Sequence, residues 1–67
     1  MTPTQFRAAL DRLSLSQGQA AKLLGADPRT TRRWALGERS IPPTVAILLR
    51  LLVKGKVTAA DVEAARK

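Results

Sequence analysis

Apolar residues recur along this chain in short bursts at helical spacing, separated by polar or glycine-bearing breaks, and strand-like alternation is not sustained anywhere. Phe6, Ala9, Leu10 and Leu13 form the first burst and predict a helix over about residues 3–13. Thr2-Pro3-Thr4-Gln5 supplies its N-cap, a first-turn proline and the glutamine of a capping box. Ser14 to Ser16 connect onward with Leu15 as an inward plug, and Ser16 with Gln19 repeats the capping-box spacing before a second helix over about 17–24. Gly25-Ala26-Asp27 predicts a turn, glycine supplying the left-handed conformation that ends a helix. Asp27 is then an N-cap and Pro28 a first helical residue, so a third helix runs over about 28–36 and stops at Gly37.

Glu38 to Pro42 is a polar loop holding one apolar residue, Ile41, and the Pro42-Pro43 pair keeps it extended until a fourth helix starts at Pro43 or Thr44. Val45, Leu48, Leu49 and Leu52 make the expected core stripe of that helix. Ile47 and Leu51 make a second stripe that a small core need not consume. Lys54-Gly55-Lys56 breaks the pattern, Thr58 with Asp61 has the look of another cap, and Ala59 to about Ala65 forms a fifth short helix using Val62. The expected fold is all-α: a compact bundle of four to five short helices in one domain, residues 1–67. It contains a helix-turn-helix over about 16–37, followed by helices over about 43–66.

Charge sharpens this picture. Twelve Lys and Arg against five Asp and Glu give +7, which on so small a surface favours a polyanion, either nucleic acid or an anionic membrane. Arginine supplies eight of the twelve cations, and its planar fork matches guanine or phosphate with two bonds, a lean toward nucleic acid. With no cysteine and no histidine, disulfides, thiolate or imidazole zinc sites, and Cys- or His-dependent catalysis are excluded. The carboxylates are spread thinly, and Asp27, Asp61 and Glu63 serve helix starts, so an enzyme is not expected. No cofactor or small-molecule ligand is expected either. MTPTQFRAAL is polar and helix-like rather than a signal peptide, and the longest apolar run, Val45 to Leu49, is too short to span a bilayer. A cytoplasmic protein without a membrane partner is the expectation.

Within residues 16–37 the small residues Ala20, Ala21 and Gly25 would let two helices cross closely, and Trp34 would anchor the second of them in the core. Arg29 and Arg33 lie four apart, hence on one face, with Arg32 beside them. Gln17 falls in the first turn of the second helix, where unpaired backbone N–H groups suit a phosphate.

Leu15-Ser16-Gln17, Ala21, Leu24-Gly25, Thr30, Arg33-Trp34, Gly37 and Pro42 ahead of an apolar helix resemble, in combination, the lambda-repressor-like helix-turn-helix domains of the Cro and phage-repressor type, the XRE family. The resemblance covers about residues 5–53. It implies a bundle of four or five helices and a bacterial or phage transcription regulator that binds operators as a dimer. It also implies base contacts from Pro28, Arg29, Arg32 and Arg33, with Arg29 and Arg33 reading guanine and Pro28 packing on a thymine methyl. Phosphate contacts are expected from Gln17, Lys22, Thr30, Arg39 and Ser40. Arg7, Arg12, Arg50, Lys54, Lys56 and Arg66 would add only long-range attraction. Two positions depart from the pattern. Thr31 stands where Ile or Val is usual, thinning the contact between the third and first helices, and Ala35 stands where a glutamate is common, removing an ion pair that could brace the loop.

Ile47 and Leu51, with Val53 or Val57 nearby, either meet a second copy of the chain or are covered by the fifth helix. Pairing there would set two recognition helices about one DNA turn, roughly 34 Å, apart to read a pseudo-palindrome in double-stranded DNA. The expected function is a sequence-specific regulator, a small repressor or autorepressor acting on an operator. Two alternatives remain: an interaction module or antitoxin-like protein for which DNA is secondary, and non-specific nucleoid binding driven by charge alone.

Overall fold

In the computed structural model, which describes residues 1–66 with side chains to residue 65, the chain forms five helices and no strand among the described residues. They are α1 (Pro3–Arg12), α2 (Gln17–Leu24), α3 (Pro28–Leu36), α4 (Pro43–Val53) and α5 (Ala59–Arg66). Local chemistry sets their starts. Thr2 accepts from the Gln5 N–H at 3.1 Å while the Gln5 side chain accepts from the Thr2 N–H at 2.9 Å, and Ser16 with Gln19 repeats both bonds at the same distances. Thr58 and Asp61 exchange an equivalent pair ahead of α5. Asp27 caps α3 by accepting from the Arg29 N–H at 2.8 Å.

The ends share one geometry. The Leu15, Ala26, Glu38 and Lys56 N–H groups each reach back five residues, to the carbonyls of Leu10, Ala21, Arg33 and Leu51, at 2.9–3.0 Å. That closure requires a left-handed residue just before the donor, and Gly25 (φ 67°) and Gly37 (φ 77°) supply it on either side of α3. After α1 the same place is taken by Ser14 at φ 56°, a role its side chain does not announce. Gly25 is itself exposed, so it serves the turn by its conformation. Ala20 and Ala21, both buried, are the small residues that admit the close approach of α2 and α3.

The core gathers Phe6, Leu10, Leu23, Trp34, Leu49, Leu52 and Val62 from all five helices. Phe6 and Trp34 meet edge to face, ring centroids 6.0 Å apart and planes at 78°. α3 packs on both α2 and α1, α4 on α1, and α5 on α2. On α4 the buried stripe is Ala46, Leu49 and Leu52, with Val45 and Leu48 half-buried on its shoulder. The core-facing centre is thus rotated from the expected Val45-Leu48 edge toward Ala46.

Thr31 is fully buried, and its hydroxyl donates to the Asp27 carbonyl at 3.3 Å, so the polar atom is satisfied inside the helix. Ala35, the other position that departs from the pattern, is fully buried. Arg7 on α1 donates from its guanidinium to the Ala35 backbone carbonyl near the C-terminal end of α3, where the helix dipole is negative. Replacing Arg7 with Ala is expected to lower stability by about 1 kcal/mol, a charge-assisted bond discounted for its exposure. Urea unfolding followed by circular dichroism would measure it, and Arg7→Lys should recover part of the loss by offering one cationic donor.

Candidate nucleic-acid interface

α3 is held at both ends before any functional side chain is considered. Asp27 and Pro28 fix its entry, Gly37 its exit, and Gly37 lies so close to α1 that a Cβ there would come within 3.1 Å of Pro3 Cγ. Thr31, Trp34 and Ala35 bury one face of the helix. At about 100° per residue, the centre of the opposite face falls between Arg29 and Arg33, with Arg32 on its shoulder. All three arginines are exposed. Of the guanidinium groups among the described side chains, Arg7's is the one hydrogen-bonded within the chain, which leaves those of α3 available for an outside acceptor.

Pro28 is exposed at the first position of α3, and Thr30 is half-buried at its edge. Gln17 is exposed at the first position of α2. The capping box there occupies the Gln19 and Ser16 N–H groups, so those of Gln17 and Gly18 lie free of it at the positive end of the helix. Lys22 is exposed on α2. Arg39 and Ser40 are exposed in the loop after α3 and line a concavity with Met1, Pro3, Gly37 and Ile41, which sets the loop beside the start of α1. The structure therefore brings Pro28, Arg29, Arg32 and Arg33 together on one helix, with Arg39 and Ser40 just beyond its far end and Gln17 at the start of the helix packed against it.

The remaining cations divide. Arg7 is committed to the Ala35 carbonyl and is structural. Arg12, Arg50 and Lys54 border a groove between α1 and α4. Lys56 is exposed in the break after α4, and the Arg66 side chain lies outside those described.

Leu36, 56% exposed, is a further member of the α3 face that the apolar pattern does not single out. It stands seven residues after Arg29 and three after Arg33, a spacing that places it on the same stripe. On α4, Ile47 is also 56% exposed and Leu51 half-buried, and neither belongs to the core cluster. Val53 and Val57 are different: both pack against the core from its edge. α5 lies against α2, and Ile47 stays open.

Among the described residues no helix is long and apolar enough to cross a membrane. Comparison of the chain with protein-family models, with curated proteins and with solved structures gives no match.

Proposed function

We propose that this chain is a sequence-specific DNA-binding regulator of the lambda-repressor-like helix-turn-helix type, a small repressor or autorepressor rather than an enzyme. One observation carries the reading: Arg29 and Arg33 project from the exposed side of a short helix whose other side is locked into the core by Thr31, Trp34 and Ala35. A helix of that width fits the major groove, and arginine matches guanine O6 and N7 with two donors at once. In the proposed complex Arg29 and Arg33 read guanine, Arg32 divides between base and phosphate, and Pro28 packs on a thymine methyl. Gln17, Lys22, Thr30, Arg39 and Ser40 hold the sugar-phosphate backbone and set the register without reading sequence.

A single module reading three or four base pairs discriminates weakly, so the proposed active species is a homodimer. Ile47 and Leu51 are its proposed contact, since they are apolar, outside the core and adjacent on α4. Val53 and Val57 contribute less there, being engaged with the core.

Selection of bound sites from random duplex DNA by the full chain tests the function directly. The expected product is a motif of two inverted half-sites with centres about 10 base pairs apart. Enrichment of one half-site would keep the reading function and remove the dimer. Recovery of no motif, with binding that falls steeply as salt rises, would replace the proposal with charge-driven association.

A further inference from the structure

Arg7 marks the flank of α1 that faces α3; Ala8 and Arg12 lie about 100° and about 140° around the helix from it, toward α4. There α1 and α4 leave an open groove of about 260 Å³. Ala9 and Leu49, both buried, form its floor, and Ala8 and Val53 its apolar sides. Arg12, Arg50 and Lys54 stand at its rim, all exposed, and no carboxylate lines it.

We propose that this groove docks an acidic amphipathic helix of a partner protein. The volume lies below the roughly 300–1,000 Å³ typical of small-molecule pockets, and the polar lining is three cations at the edge and Gln5, whose Oε1 already accepts from the Thr2 N–H, rather than donors and acceptors converging on the floor. A row of apolar side chains flanked by carboxylates satisfies both features, the apolar face filling the trough and the acids meeting the three cations. A second copy of this chain fits this groove poorly, because its exposed large apolar residues, Leu36 and Ile47, lie on α3 and α4, helices that carry no carboxylate to meet the rim. A DNA backbone supplies the charge but nothing to cover the apolar floor. Since the groove lies on the flank of α1 opposite the one that meets α3, such a partner leaves the arginine face of α3 free, and the inference stands whether or not that face binds DNA.

The probe is a synthetic, Ala-rich peptide of about 18 residues, long enough to hold a helix, with Leu at i, i+3, i+4 and i+7, Glu at three or four positions flanking that stripe and Ala elsewhere; its control replaces every Glu with Lys. Titrated into the isotopically labelled full chain, the Glu peptide is expected to shift the amides of Ala8, Ala9, Leu49 and Val53 saturably, leave those of Arg29 and Arg33 unmoved, and bind far more tightly than the Lys peptide. Arg12→Glu with Arg50→Glu should weaken it by roughly tenfold, two rim pairs having turned from attractive to repulsive. Ala8→Arg is the decisive variant, because it adds a cation while filling the groove, at an exposed site where circular dichroism can verify the helix. Docking predicts weaker binding to Ala8→Arg. Equal or tighter binding, equal affinity for the Lys peptide, or shifts confined to α3 would each overturn the proposal.

Discussion

Arg29→Ala with Arg33→Ala is expected to erase discrimination between a selected DNA site and a scrambled one while leaving the fold intact. Each bidentate arginine-guanine contact is worth about 1–3 kcal/mol of discrimination, so the pair accounts for about 2–6 kcal/mol, less any coupling between neighbours. The fold should not notice. Both side chains are exposed, the Asp27 cap to the Arg29 N–H and the bond from the Glu38 N–H to the Arg33 carbonyl involve only the backbone at these positions, and alanine is the best helix former. Charge falls from +7 by two, so residual non-specific affinity should persist and stay salt-dependent. Arg39→Ala is the contrasting variant: a phosphate contact predicts uniform weakening across sequences and a salt slope reduced by about one. Competition titrations at two salt concentrations separate the two behaviours. If the double variant still prefers the selected site as strongly as the parent, Arg29 and Arg33 are not its readers.

The elements were legible because their boundaries are written in local chemistry. Thr2 with Gln5, Ser16 with Gln19 and Thr58 with Asp61 each satisfy their own helix start, whatever the rest of the chain does. Where the determinant is tertiary, the sequence is silent. Ser14 adopts the left-handed closure that glycine announces elsewhere, held there by Leu15 plugging into the core. Ala46, too small to weigh in an apolar stripe, is nonetheless buried, and Arg7 reads as one more surface cation until α3 ends beside it.

The candidate site divides the same way. Spacing alone puts Arg29 and Arg33 on one face, and the buried trio Thr31, Trp34 and Ala35 fixes that face outward. Leu36 on the same stripe was obscured by its apolar character, which suggests core until the helix ends before anything covers it. Arg39 and Ser40 lie in a segment with no periodicity, so only the packing of Gly37 against Pro3 reveals where the loop runs. The groove between α1 and α4 depends on two helices far apart in sequence, and no local pattern encodes it.

Trp34→Ala is expected to unfold most of the protein at room temperature. Trp34 is 5% exposed and is one of only two aromatic residues, stacked edge to face on the fully buried Phe6. Truncating a buried tryptophan costs about 3–5 kcal/mol, the lost ring pair placing this one toward the upper end. A domain of this size draws only about 3–5 kcal/mol of net stability from its core, so the loss meets or exceeds what is available. Far-ultraviolet circular dichroism in a urea series is the proper measurement, since the substitution removes the only tryptophan fluorophore. Trp34→Phe should keep a ring against Phe6 and remain folded, with a lower urea midpoint. That variant also decides what the indole is for. A core anchor predicts that Trp34→Phe, once folded, keeps its preference among DNA sequences, because Arg29 and Arg33 still ride on the same helix face. A tryptophan that stacked on bases would show the reverse, an unchanged midpoint with weakened binding. Its burial between α1 and α3 favours the first outcome, and makes the aromatic pair the support on which the arginine face depends.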